Sequence, residues 1–323
     1  MDKINQVDLA NDELTQVPCM IGKELPAAIL LNADDWGFGY FELDLPSVKV
    51  FEESLSKVQS SLDRTVIISN IIAMMRQLTY PATRMPIIMN QLMNESNQNL
   101  INALSGAFVL AQQVYLPPET VPRFNKEVAQ FFFRKAKKDA GDTKLQQFCL
   151  EKAVAFVTEK EHLRLCQDWV TSGTFTYQDE QIPVELTQPQ RHQILKAFYA
   201  SPHFTKDEKK ALRQKALKGD NSDAAQTCLK VCDYSMPDPE LKEQLWDQIT
   251  DPTSTESLKD LSLKMQGFWQ RKQQLDLIAP YFEKYYSILE HIVETRDREF
   301  SELFMEQLSP AFMARPQDEQ AFS

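Results

Sequence analysis

The chain has 323 residues, length enough for one large or two ordinary domains, and 43% hydrophobic with 10% aromatic residues is a normal stock for a packed core, which excludes a disordered polypeptide. Lys and Arg total 35 against 46 Asp and Glu, and the resulting net charge of −11 opposes attraction to phosphate backbones and anionic lipid, so neither nucleic acid nor a membrane surface is an expected partner. No run approaches the roughly 18 to 20 apolar residues of a membrane span, and the opening "MDKINQVDLANDEL" lacks the apolar stretch of a secretory signal.

Residues 1–44 differ from the rest of the chain. "LPAAILLN" and "FGYFELD" are short and β-prone, with Asp34, Asp35 and Gly37 between them, which predicts strand, turn, strand. Two strands need a sheet or a helical face to cover them. Pro46 ends that pattern and Ser47 is placed to cap a first helix.

From Ser47 onward the apolar period is helical. In "RTVIISNIIAMMRQL" one stripe runs through Ile67, Ile71, Met74 and Leu78 and a second through Ile68, Ile72 and Met75, so the helix is expected to be largely buried. "PYFEKYYSILEHIVETRD" repeats the pattern with Tyr281, Tyr285, Ile288 and Ile292, then Phe282, Tyr286, Leu289 and Val293. Breaks fall at Tyr80-Pro81, Pro117-Pro118, Gly141-Asp142, Ser172-Gly173, Ser201-Pro202, Gly219-Asp220, Pro237-Asp238, Asp251-Pro252 and Ala279-Pro280. Pro86, Pro122 and Pro189 read as first-turn prolines. "TFTYQDEQIPVEL" is the one later interruption, a small hairpin or an irregular loop. The expected fold is all-α, about fifteen helices stacked as antiparallel pairs in the manner of a HEAT-like α-solenoid, preceded by a short β-hairpin. The expected division is residues 1–45, the end of a β-sandwich domain, and residues 46–323, a helical C-terminal domain.

Chemistry is sparse. The five cysteines are odd in number and scattered, which suits reduced thiols and a cytoplasmic location. Cys228 and Cys232 lie one helical turn apart, as do His162 and Cys166, but neither pair has a further ligand at a metal-site spacing, and small buried thiols and a half-exposed histidine are the expected reading. The four histidines share no helical turn, so no H-E-x-x-H site can form, and no G-x-S-x-G elbow or Walker loop is present. "GFG" at Gly37 to Gly39 has no third glycine and no following helix, so it reads as a turn and not a phosphate cradle. The basic runs "FFFRKAKKD" and "KDEKKALRQKALKG" read as a favourable helix end and a solvated helix face.

The segment "TQVPCMIGKELPAAILLNADDWGFGYFELD", with Asn32, Asp35, Tyr40 and Asp44 in step, resembles the end of the small β-sandwich domain in the aminopeptidase N family of zinc metallopeptidases. "SSLDRTVIISNIIAMMRQLTYPATR", "GDNSDAAQ", "GFWQRKQQLDLIAPYFEKYYSIL" and "TRDREFSELFMEQLSP" follow in the order met in that family's helical C-terminal domain, of the endoplasmic-reticulum-aminopeptidase type, and nearest in look to the actinobacterial branch.

The resemblance implies a noncatalytic helical domain that caps an active-site cavity and restricts access to peptides. The zinc would be held by the family's upstream catalytic domain, since H-E-x-x-H and G-x-M-E-N are both absent from this chain, which is therefore expected to be inactive alone and to hold no cofactor of its own. The implied partners are that catalytic domain and a peptide substrate. By position Arg64 and Arg76 are the implied peptide-facing residues, although Gln77 stands where close relatives often have Asp after Arg. An independent α-solenoid scaffold that binds a protein or peptide is the alternative.

Overall fold

The computed structural model of the chain describes residues 7–8, 13–182, 184–270 and 272–310, with the side chain of Cys19 left aside. In chain order come α1 (Leu45–Ser54), α2 (Ser61–Arg76), α3 (Met85–Asn90), α4 (Gln98–Leu110), α5 (Val121–Lys138), α6 (Thr143–Ala155) and α7 (Lys160–Ser172). The strands β1 (Phe175–Tyr177) and β2 (Glu180–Ile182) follow, then α8 (Gln188–Ala200), α9 (Lys206–Ala216), α10 (Asp223–Tyr234), α11 (Pro239–Thr250) and α12 (Leu258–Phe268). The single turn α13 (Leu275–Ile278) leads into α14 (Pro280–Thr295) and α15 (Arg298–Leu308). The fold is all-α with one small antiparallel hairpin.

Polar residues at the breaks start the helices. Ser60, Asn97, Asp142, Ser222, Asp238, Ser257 and Asp297 each accept an amide of the first turn, and Thr187 and Thr205 complete capping boxes with Gln190 and Glu208. Each such cap is worth about 1 kcal/mol. Pro86, Pro122 and Pro189 do occupy first turns, where the missing amide is no loss. At α1 the capping residue is Asp44, whose carboxylate accepts from Ser47 N at 2.7 Å, and not Ser47 itself. The Ser47 hydroxyl instead accepts from Ile29 N at 2.8 Å.

Helices two apart in this series pack together. α2 touches α4, α4 touches α6, α6 touches α8, α8 touches α10 and α10 touches α12, which in turn meets α15. On the other side α1 meets α3 and α3 meets α5, α7 meets α9, and α11 meets α13. Cross-contacts such as α5 with α6, α8 with α9 and α11 with α12 join the two series.

The apolar side chains gather into two clusters. One runs from Leu43 to Cys232 and is rich in aromatics, with Phe108 edge-on to Phe124 and Phe156. The other runs from Leu245 to Leu308 around Trp246 and Phe304. Close backbone approach joins them: a Cβ built on Gly267 of α12 would meet the Cβ of Tyr234 in α10 at 2.3 Å, so glycine is required there. The loop after α12 then inserts three consecutive side chains among the first cluster's helices. Lys272 Nζ donates to Ala155 O at 3.2 Å, Gln273 to Ala197 O at 3.0 Å, and Gln274 to both Ala200 O at 2.6 Å and Ser235 O at 2.7 Å.

Lysines recur at buried helix ends. Lys135 Nζ donates to Met93 O and Glu95 O in the turn after α3, Lys209 to Tyr199 O near the end of α8, and Lys242 to Gly267 O and Phe268 O at the end of α12. Terminal carbonyls have no intrahelical donor and carry the negative end of the helix dipole, so an ammonium group satisfies both needs.

The predicted hairpin at residues 25–44 does not form as paired strands. Asn32, Asp34 and Asp35 all have positive φ, and a short 3-10 turn over Ala33–Asp35 separates the two arms. The first arm and the turn are anchored to helices, the first through Ile29 to Ser47 and the turn through Asp34 N to Asp63 Oδ1 at 3.2 Å. The strands lie instead in "TFTYQDEQIPVEL", where Gln178 and Asp179 take the two positive φ values that a tight hairpin turn demands. There Phe175 is fully buried, stacked 5.2 Å from Phe133, and Trp169 Nε1 donates to Val184 O at 2.8 Å.

Candidate functional site

Both arginines singled out by the sequence lie on α2, one at each end. Their separation is 76 − 64 = 12 residues, about 18 Å along the axis and about 120° around it, so α2 does not bring them onto one face.

Arg64 is held inside the fold. Its Nε donates to Glu95 Oε2 at 2.6 Å, and its Nη1 to Val58 O at 2.6 Å and Gln59 O at 3.0 Å. Glu95 also accepts from the amides of Ser96 and Asn97 at 3.0 and 2.9 Å. Burial alone would raise the Glu95 carboxyl, but Arg64 and these amides outweigh it and hold the group below the usual carboxylate range. The backbone of Glu95 is in turn gripped by Lys135, so α2, the turn after α3 and α5 are tied through one residue.

Arg76 is the opposite case. It closes the last turn of α2, is exposed, and makes no hydrogen bond or ion pair among the described residues. Its guanidinium offers several donors in a planar fork suited to a carboxylate.

The thiol and imidazole pairs serve the core. His162 is 3% exposed, not half-exposed as expected, packed edge-on against Phe133 at 5.5 Å, and burial lowers its pKa so the ring is neutral. Cys166 beside it is fully buried, and burial pushes its thiol up to about 12. Cys228 and Cys232 stand 3.9 Å apart, with burial holding Cys232 protonated. Among the described residues no three His, Cys, Asp or Glu side chains are grouped so as to hold a metal ion. His192 Nε2 lies 3.0 Å from Asp220 Oδ2, and Asp220 also accepts from Gln188 and Ser222, which bolts α8 to the start of α10. No described helix is long and apolar enough to cross a membrane. A shallow hollow on α6, lined by Thr143, Lys144, Gln147, Phe148 and Glu151, contains no acid–base pair set apart from solvent.

The sequence reading set Lys135 at a favourable helix end and Lys209 on a solvated face and did not single out Lys242, yet all three are buried, and the signal for that was present. Lys135 continues the stripe of Val128, Phe131 and Phe132, Lys242 opens that of Leu245, Trp246 and Ile249, and Lys209 that of Leu212 and Ala216. A lysine on an apolar stripe points its ammonium into the packed layer, where a helix end can receive it.

Aminopeptidase N of Streptomyces lividans is 25% identical over 313 residues, covering 95% of this chain and 35% of that relative, so the chain spans about a third of the relative's length. The ERAP1-like C-terminal domain family matches residues 28–321. That match takes in the Asn32 turn, α2 and every helix through α15, and the chain belongs to the ERAP1-like C-terminal domain family, the C-terminal region found in aminopeptidases of the N type.

Proposed function

We propose that this chain is the noncatalytic helical C-terminal domain of an aminopeptidase N type zinc metallopeptidase, closing over an active-site cavity and restricting which peptides reach it. The family match over residues 28–321 carries this reading. In it the zinc and the catalytic groups come from a separate catalytic domain of the same enzyme family, the substrate is a peptide, and the setting is the cytoplasm with no nucleic-acid or membrane partner. The contact pattern in which α2, α4, α6, α8, α10 and α12 follow one another supports a HEAT-like α-solenoid of antiparallel pairs, an architecture whose inner row lines a concave surface. Four free, buried thiols, Cys149, Cys166, Cys228 and Cys232, suit a reducing compartment.

Of the two arginines, Arg76 is the one free to meet a peptide's terminal carboxylate, and Arg64 acts by fixing the start of α2 through Glu95. The direct test is zinc content and hydrolysis of aminoacyl chromogenic substrates by the purified chain. Neither is expected, and stoichiometric zinc with turnover would overturn the reading. The same stack also suits an independent peptide-binding scaffold; capture of unrelated proteins alone, with no catalytic aminopeptidase domain, would favour that reading.

A further inference from the structure

Cys228 and Cys232 are one turn apart on α10, and their sulfurs are 3.9 Å from each other. Of the four described free thiols Cys228 alone touches solvent, at 4% exposure. Its electrostatic surroundings differ as well. Cys232 keeps its proton and donates it towards Cys228 Sγ, which lowers the Cys228 thiol against the opposing effect of burial, and Lys196 of α8 and Arg213 of α9 add positive potential while Asp220 opposes them. Cys149 and Cys166 are fully buried, and burial pushes each of their thiols up to about 12. A thiol with a route to solvent, near cations and beside a second thiol is the setting in which sulfur oxidation is selective.

A bond between these sulfurs is within reach only if the helix gives. Residues four apart on a regular helix hold their Cβ atoms about 5 to 6 Å from each other, whereas a disulfide needs about 3.5 to 4.5 Å, so closing it draws the turn between Cys228 and Cys232 inward by about 1 to 2 Å. That turn leads into the joint between the two apolar clusters. Cys232 O accepts from Ser235 N at 3.1 Å and from Ser235 Oγ at 2.9 Å, and Ser235 O accepts from Gln274 Nε2 at 2.7 Å. Tyr234, two residues after Cys232, is the residue that lies against Gly267 of α12 with no room for a Cβ.

We propose that Cys228 and Cys232 form a redox site that a hydroperoxide converts to a disulfide, and that closing this bond loosens α10 from α12 and from the Gln274 insertion. The Cys228 thiolate attacks one oxygen of the hydroperoxide, the O–O bond breaks, and the other oxygen takes a proton from solvent and leaves as water or an alcohol. Cys228 is then a sulfenic acid, its sulfur oxidised by two electrons and the peroxide reduced by two. The Cys232 sulfur attacks the Cys228 sulfur, the S–O bond breaks, the S–S bond forms, and the hydroxyl leaves as water with the Cys232 proton. The bent turn favours reduction, so a dithiol reductant restores both thiols by exchange and is itself oxidised to its disulfide.

The test treats the full chain with hydrogen peroxide, alkylates the remaining thiols after unfolding, and reads the product by peptide mass mapping, with amide hydrogen exchange measured on the folded chain before oxidation, after it, and after dithiothreitol. The expected product is a Cys228–Cys232 link with Cys149 and Cys166 still open to alkylation. Amides of α14 and α15 should then exchange about tenfold faster, those of α5 and α6 should be unchanged, and dithiothreitol should reverse both the link and the faster exchange. Cys232→Ala should stop the reaction at a Cys228 sulfenic acid that dimedone traps, and Cys228→Ala should leave Cys232 a free thiol; the melting of each reduced variant certifies its fold, and the unsubstituted chain carries the test if either fails to fold. Oxidation of Cys149 or Cys166 ahead of Cys228, or a Cys228 that stays unreacted or reacts without linking to Cys232, overturns the site. A link that forms while α14 and α15 exchange as before overturns the loosening of the joint.

Discussion

Glu95 is 6% exposed and receives a guanidinium and two amides, so its charge is satisfied only in the folded chain. Replacing it with Gln leaves Arg64 without its counter-ion, and urea denaturation should register a loss of about 3 kcal/mol. Because the folded carboxyl is held below its ordinary value, this stabilisation is present above pH of about 4.3 and declines as pH falls below that, a slope the Glu95→Gln variant should flatten. Lys242 has the opposite sign. Burial lowers its ammonium to about 7 in the folded state, against about 10.4 unfolded, so the unfolded chain binds the extra proton between those values. Stability is then expected to rise with pH from 7 towards 10, and a Lys242→Met variant should lose that rise in a pH series of denaturation curves.

At the scale of elements, two glycines in helices give opposite expectations. Gly267→Ala forces a methyl group into Tyr234 and separates α12 from α10, for a loss of about 3 kcal/mol by thermal or urea unfolding. Gly106, in α4 with open space around it, should gain about 0.5 kcal/mol on the same substitution. The helices themselves follow from apolar spacing: Ile67, Ile71, Met74, Ile68 and Met75 of α2 are all buried as the double stripe predicts, and Leu78 is exposed only because α2 ends at Arg76. In α14 the first stripe holds with Tyr281, Tyr285 and Ile292 buried, while Tyr286 and Val293 of the second are exposed. The pattern reports which faces are apolar but not how many neighbours arrive, and α14 packs chiefly on α13 and α15. The 25–44 segment failed as strands for a related reason: strand propensity describes a fit to neighbouring strands, and here the neighbours are helices. Of the two arginines the sequence marked, position could not tell that Arg64 is spent on Glu95, 31 residues away in the chain.

For the whole molecule, the two apolar clusters predict two cooperative units, one over Leu43 to Cys232 and one over Leu245 to Leu308. They are coupled by the α10–α12 approach and by the Lys272, Gln273 and Gln274 insertion. Gln274→Ala leaves two buried carbonyls without that donor, an expected cost of about 2 kcal/mol. Because the lost bonds cross between the units, native-state hydrogen exchange should show α14 and α15 opening more readily than α5 and α6 in that variant. Equal effects on both halves would argue for a single unit. The coupling could not be read from helix spacing, since it depends on contacts 33 to 117 residues apart.

The ammonium groups of Lys135, Lys209 and Lys242 also make the protein a set of clocks. An amine-acylating reagent reaches solvent-facing lysines at once, whereas these three are 0 to 1% exposed and can be acylated only when the contact they close comes apart. Lys135 would time the parting of α5 from the turn after α3, Lys209 that of α9 from the end of α8, and Lys242 that of α11 from α12. Peptide mass mapping of the acylation rates would therefore rank the joints of the stack from N- to C-terminal end without any substitution.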